Sequence, residues 1–308
     1  MDEETQPSTQ PYADPRRKGV NNSGLSQQDV ADIICILHPN SPAAHKSASI
    51  TADRNPQHIL QRDEFDPDLD ACESTYDIAL RFSSLVKDQS MGFCFGRSST
   101  RSDIIFYPDH RVSNTHFRIY LKSDGILMLQ DTSTNGTIVD GKSIRRDGGD
   151  NSPTTQMLMS GSVIHVTGND LASAIKFVVR IPARDELQAQ YTRNLTWYLN
   201  RIRQLSTKVG DVGRGEMPAP GIVVAHTNHS HGMHWNGGAK YNVTGQIGKG
   251  AFATVYKLAT KNDGAVFACK ELDKRRLTKN NVLDHKVDSE MRIMKDLDHV
   301  WSLPYTRC

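Results

Sequence analysis

Three stretches decide the fold: FGRSS at 95–99, DHRVSNTHFRIYL at 109–121 and LQDTSTNGTIVDGKSI at 129–144. Within the second, Phe117, Ile119 and Leu121 alternate with His116, Arg118 and Tyr120, the period-two pattern of a strand with one buried face. The third holds Asn135-Gly136 and Asp140-Gly141, turn dipeptides whose residues tolerate positive φ. Further along, Ile175, Phe177, Val179 and Ile181 form another inward row within 174–181. Segments 76–82, 91–96, 103–107, 126–130 and 162–167 are short and β-rich, with Ser-Asp-Gly at 123–125 as a further turn signal. Many short strands without a long helix among them predict a β-sandwich over 76–182, and a chain that is mainly β.

The flanks read differently. Residues 1–75 are rich in Ser, Pro, Asn, Gln and Asp, a composition that predicts a mostly disordered tail. One island stands out there: Ser26 and Asp29 form a capping-box pattern. Val30, Ile33, Ile34 and Leu37 follow at helical spacing before Pro39, predicting a short helix over 27–38. In 183–208, Leu187, Tyr191, Leu195, Tyr198, Ile202 and Leu205 recur at intervals of three and four, predicting a helix whose apolar stripe packs on the sandwich. Self-association through that stripe is the alternative. Residues 209–239 are rich in Gly, Pro, Asn and His and read as a flexible linker. His226, His229, His231 and His234 in that linker have no acidic or thiolate partner nearby, so no metal site is expected.

Bulk numbers exclude several function classes. Lys and Arg total 37 against 35 Asp and Glu, so no basic excess marks a nucleic-acid or bilayer binder. No apolar run approaches the ~18 residues of a membrane span, and the acidic start MDEETQPSTQ does not resemble a signal peptide. Five scattered cysteines without CxxC spacing read as free thiols in a soluble, intracellular protein.

Gly96-Arg97, the run from Ser113 to His116 and the run from Ser133 to Thr137, in that order on a sandwich, resemble the forkhead-associated (FHA) family. The resemblance covers about a third of the chain and ends in LMSGSVIHV at 158–166. It implies phosphothreonine binding. The Arg97 fork would grip two oxygens of a nearly dianionic phosphate and the Ser113 hydroxyl would donate to it. Asn114 and Thr134 would complete the phosphate shell, and Asn135 would bond the ligand backbone. His116 and Gly96 would brace the loops, and a small pocket for the γ-methyl would favour phosphothreonine over phosphoserine. Arg111 has two readings: a contact to an acidic residue C-terminal to the phosphothreonine, or a solvated loop charge.

The chain from 240 to 308 resembles the opening of a protein kinase small lobe. Ile247, Gly248, Lys249, Gly250, Ala251, Phe252, Ala253, Thr254 and Val255 match the glycine-rich loop, with Ala253 in place of its third glycine. Lys270 follows Ala268-Cys269, and Glu290 lies within VDSEMRIMKDLDH. The resemblance implies that the loop covers ATP phosphates, that Lys270 holds them, and that Glu290 pairs with Lys270. ATP with Mg is the family's cofactor pair. No HRD, DFG or APE motif follows before Cys308, so the sequence leads one to expect an inactive chain with no working cofactor, truncated within the small lobe.

Thr5-Gln6, Thr9-Gln10 and Ser26-Gln27 are dipeptides of the type phosphorylated by checkpoint kinases. Tail, FHA module and kinase start, in that order, look most like the fungal checkpoint effector Ser/Thr kinases of the DNA-damage and replication response. That resemblance implies nuclear localisation, with the cytoplasm as the alternative. It implies phosphothreonine-bearing adaptor proteins, or the phosphorylated tail of another copy, as partners, with no direct nucleic-acid or membrane contact. Two alternatives stand beside a phosphothreonine-binding fragment: a full-length active kinase represented by a defective gene model, and a natural decoy isoform.

Overall fold

The computed structural model describes residues 22, 25–66, 71–145, 153–166, 174–208, 233–250 and 253–272, with isolated positions between 278 and 293. Two facing sheets carry the fold. The strands and helices, in chain order, are α1 (Gln27–Asp32), β1 (Ile33–Pro39), α2 (Pro42–Arg54), β2 (Ile59–Asp66), β3 (Ala71–Arg81), β4 (Phe93–Gly96), β5 (Ile104–Ile105) and β6 (Phe117–Leu121). After these come β7 (Leu127–Asp131), β8 (Thr137–Val139), β9 (Lys142–Ile144), β10 (Thr155–Met157), β11 (Val163–Val166), β12 (Ile175–Arg180) and α3 (Gln188–Lys208). The larger sheet runs β2-β3-β1-β12-β11-β8-β9 and the smaller runs β10-β7-β6-β4-β5. The chain is mainly β, as its alternation predicts.

Between the sheets lies one apolar core. Phe93, Phe95 and Phe117 of the smaller sheet meet Phe177 of the larger, with Phe82 and Phe106 filling in, all at most 1% exposed. The Phe95 and Phe117 rings stack at 4.6 Å between centroids. Phe95 immediately precedes Gly96-Arg97 and Phe117 follows His116, so the rigid core reaches the base of the loops that carry Arg97 and Ser113.

The segment before residue 76 departs from its reading. The capping box forms: the Asp29 amide donates to Ser26 Oγ at 3.1 Å, and the Ser26 amide to Asp29 Oδ2 at 3.3 Å. The helix then ends at Asp32, and residues 33–39 are a strand between β3 and β12. Ile33, Ile34, Cys35, Ile36 and Leu37 are all buried. A strand covered on both faces is continuously apolar, and such a run matches helical spacing equally well. β-branched isoleucines favour the strand.

α2 was also unforeseen, since the composition of 1–75 predicts a mostly disordered tail. Ser41 caps it, accepting from the Ala44 amide at 3.3 Å, and Pro42 opens it. Its buried face is small and partly polar: Ala43, Ala44, Ser47, Ala48 and Thr51. The hydroxyls serve the β5 edge. Thr51 Oγ1 accepts from the Ile105 amide at 3.0 Å, and Ser47 Oγ accepts from the Tyr107 amide at 2.8 Å. An edge strand is thereby covered by side chains.

α3 packs on the sandwich as its spacing predicts, burying Tyr191, Leu195 and Tyr198. Buried Arg184, just before it, donates to the carbonyls of Pro182, Ile33 and Ile34 at 2.7, 2.7 and 3.2 Å. Its guanidinium also lies 4.2 Å from the Tyr191 ring centroid. The helix entry is thus tied to β1.

A separate three-stranded antiparallel sheet follows: β13 (Tyr241–Lys249), β14 (Ala253–Thr260) and β15 (Val266–Leu272). Lys270 pairs in register with Val255. Ala251, Phe252 and Glu290 lie outside the described residues, as do Thr5, Thr9, His226, His229 and His231. Among the described residues, no helix is long and apolar enough to cross a membrane, and no group of three or more His, Cys, Asp or Glu could hold a metal. His234 pairs with Glu271 at 3.4 Å.

Candidate functional site

Arg97 follows the last residue of β4. Its amide donates to the Ser113 carbonyl at 3.1 Å, and its Nε donates to Asn114 Oδ1 at 3.3 Å. The Ser98 amide and Ser102 Oγ both donate to the Asn114 carbonyl, at 3.2 and 2.8 Å. These bonds draw the loop after β4 against the loop before β6. Only a glycine fits at the join: a Cβ on Gly96 would sit 2.3 Å from the Asn114 carbonyl oxygen and 2.8 Å from that of Ser113.

The third loop joins the first two through Ser113, His116 and Asn135. Ser113 Oγ accepts from the Thr134 amide at 3.2 Å. Asn135 Nδ2 donates to the Arg111 carbonyl at 2.8 Å. Buried His116 links the two sides: its Nδ1 accepts from the Ser113 amide at 3.1 Å, while Nε2 donates to the Gly136 carbonyl at 3.2 Å. An accepting Nδ1 and a donating Nε2 define the neutral tautomer. Burial lowers the His116 pKa, partly opposed by the Gly136 hydrogen bond and the Asp131 charge, so the neutral form is the one held at pH 7.

Asp131 organises the third loop from within. Its carboxylate accepts from the Ser133 amide at 3.2 Å, Ser133 Oγ at 2.8 Å and Thr137 Oγ1 at 2.7 Å. Ser133 Oγ in turn accepts from the Gly136 amide at 2.8 Å. Gly136 has φ +85°, the left-handed conformation that the Asn-Gly dipeptide supplies.

Arg97, Arg111, Ser113, Asn114, Thr134 and Asn135 thus sit on three loops locked to one another. Arg97, Asn114, Thr134 and Asn135 are exposed, and Arg111 and Ser113 are half-buried. The arrangement presents a guanidinium, hydroxyls and amides on a surface whose backbone is already fixed, which suits capture of a tetrahedral anion. The sequence reading did not single out Asp131, Ser102 or Lys87. The Asp-x-Ser spacing at 131–133 was the available signal for the first, since an aspartate commonly bonds the backbone two residues on. Lys87 Nζ donates to the carbonyls of Ser99 and Ser102, pinning the loop after Arg97. Nothing local in the sequence marks that long-range contact.

Ser26 is exposed, and its hydroxyl is engaged by the Asp29 carboxylate at 2.6 Å. In the second sheet, Ile247, Gly248 and Lys249 end β13, and Ala253, Thr254 and Val255 begin β14. A Cβ on Gly248 would meet nothing within 4 Å, and one on Gly250 only the Ala253 carbonyl at 3.6 Å. The backbone there is open to approach by a ligand. Lys270 is exposed on the neighbouring strand.

The family model for the FHA domain matches residues 93–167, and that for the protein kinase domain matches residues 241–301. Over 193 residues the chain is 29% identical to the serine/threonine-protein kinase RAD53 of Saccharomyces cerevisiae, an alignment covering 61% of this chain and 21% of that protein. It is 31% identical over 75 residues to the meiosis-specific serine/threonine-protein kinase mek1 of Schizosaccharomyces pombe, covering 24% and 16%. The chain therefore spans about a fifth or less of the length of these curated relatives. Among solved structures it resembles the N-terminal FHA domain of S. cerevisiae Rad53 in complex with a phosphothreonine peptide. There the identity is 33%, with 32% of this chain and 72% of that one covered, at a TM-score of 0.27. It also resembles Rad53 1-466 in complex with AMP-PNP, at 23% identity, 70% and 45% coverage and a TM-score of 0.32. This chain joins an FHA domain to part of a protein kinase domain and is a homologue of the Rad53-type serine/threonine kinases.

Proposed function

We propose that the sandwich binds phosphothreonine peptides and thereby docks a checkpoint serine/threonine kinase onto phosphorylated partners. The observation that carries this reading is the locked cluster of Arg97, Ser113, Asn114, Thr134 and Asn135 on three cross-bonded loops. Arg97 grips the phosphate, Ser113 and Thr134 donate hydroxyls, and Asn114 and Asn135 hold the shell and the ligand backbone. Charge-assisted hydrogen bonds contribute about 1.5–3 kcal/mol each, so the phosphate supplies most of the affinity. Partners are phosphothreonine-bearing adaptor proteins or the phosphorylated Thr5 or Thr9 tail of another copy. The site of action is the nucleus.

Calorimetric titration of the full chain with a phosphothreonine peptide, its unphosphorylated form and its phosphoserine form tests the reading. Binding is expected for the first alone, with Arg97→Ala weakening it by about 100-fold or more. Equal binding of the unphosphorylated peptide overturns the proposal. An acidic residue a few positions C-terminal to the phosphothreonine should strengthen binding, and Arg111→Ala should erase that preference. Half-buried Arg111, whose carbonyl accepts from Asn135 beside the cluster, supports this arm.

The second sheet supports a further role in a longer protein. ATP with Mg is the cofactor expected of a kinase segment, and the open backbone at Gly248 and Gly250 fits approaching phosphates. Ile247–Val255 would cover the phosphates and Lys270 would hold them, with Glu290 as its pairing partner. A transcript continuing into HRD and DFG motifs makes that longer protein an active kinase. A stop after Cys308 favours a binding fragment or decoy without catalysis.

A further inference from the structure

The outer face of the smaller sheet is apolar where alternation calls for polar residues. On β7, Leu127 and Leu129 point into the sandwich core. Ile126 and Met128 belong to a different cluster, with Met157 of β10 and Ala259 of β14. All four are at most 1% exposed. What covers them is the turn joining β14 to β15, from the second sheet.

Four consecutive turn carbonyls are taken by donors from the sandwich. The Met157 amide donates to the Lys261 carbonyl at 2.6 Å, and Thr155 Oγ1 to that of Asn262 at 2.6 Å. Lys122 Nζ donates to the carbonyls of Asp263 and Gly264 at 2.9 and 3.1 Å. The Met157 amide lies at the outer edge of β10, an end strand of its sheet, so the turn also satisfies an edge donor. Gly264, at φ +63°, lies so close that a Cβ would sit 2.9 Å from Met128 Sδ and 3.2 Å from Ile126 Cγ2. The turn holds its own shape: the Ala265 amide donates to Thr260 Oγ1 at 2.7 Å and the Gly264 amide to the Thr260 carbonyl at 3.0 Å. A pre-shaped turn loses little entropy on docking.

We propose that this face is a docking surface for the chain's own 260–264 turn, so that the phosphate-binding sandwich and the glycine-loop sheet form one unit. The second sheet is then held in a set orientation to the phosphate site. The occupant is intramolecular, and the inference is independent of which ligand the sandwich binds.

Amide hydrogen exchange on the full 308-residue chain tests it. Ala259→Glu places a charge in the buried cluster from the turn side, and Lys122→Ala removes two rim bonds without touching the turn. Exchange at Met157 is expected to speed up by about tenfold or more with Ala259→Glu, and by less with Lys122→Ala. The β11 amides serve as the control for sandwich folding. Loss of their protection with Ala259→Glu also supports docking, because residue 259 packs with the sandwich through this face. Unchanged Met157 exchange in both variants overturns the proposal. So does wild-type Met157 protection that rises with protein concentration, which would assign the turn to a second copy.

Discussion

His116 shows how one buried side chain sets a loop surface that it does not itself line. Its two nitrogens bond the Ser113 amide and the Gly136 carbonyl, one on each side of the proposed phosphate site. Alanine would remove both bonds and leave a cavity in a packed region. His116→Ala should destabilise the chain by about 2–4 kcal/mol in urea unfolding. Titrated under conditions where it remains folded, the variant should also bind a phosphothreonine peptide about tenfold more weakly or worse. The sequence pattern names His116 as architectural, and the geometry supplies the reason. Asp131 shares that bracing work. Its role escaped the reading because an aspartate at a strand end looks like any solvated loop charge until its three donors are in place.

Elements were legible where one face is buried and the other is not. β6 alternates buried and half-buried residues from Phe117 to Leu121, and α3 shows its apolar stripe plainly. Elements covered on several sides lose that contrast. β1 reads as helix or strand equally well, and neighbours on both edges decide it. α2 buries alanine, serine and threonine, which register as polar composition rather than as a core face. Its Thr51 hydroxyl accepts from the Ile105 amide and donates to the Ser47 carbonyl at 2.8 Å. Thr51→Val keeps the shape and strands a buried amide. Thermal or urea unfolding should show a loss of about 1–3 kcal/mol, whereas an exposed Ser49→Val change should be nearly neutral.

At the scale of the whole molecule, stability should fall in mild acid. His58 is pushed down to about 4, by burial first and then by the Arg81 and Lys87 cations. Burial also lowers His116 and His165. Each group prefers to be neutral when folded, so the unfolded chain binds more protons below its ordinary value of ~6.5. The stabilisation is therefore complete above that pH and is lost as pH falls toward the folded value. From His58 alone the loss is about 2 kcal/mol between pH 7 and pH 5. Urea midpoints measured across that range should drop, and His58→Leu should flatten the slope. A midpoint independent of pH would contradict the assignment.

The sandwich, the order of its three cross-bonded loops and the kinase-like start are legible in the sequence, because these rest on local chemistry. Period-two alternation and Asn-Gly turns are read within a few residues, and Arg97, Ser113 and Asn135 each sit in a short motif that resembles the FHA family. Contacts between distant parts of the chain make residues 33–39 a central strand, set α2 over the β5 edge and seat the 260–264 turn on Met128. Those outcomes depend on which distant surface covers an apolar or unpaired group, and burial by a distant neighbour leaves no periodic mark on the segment it buries.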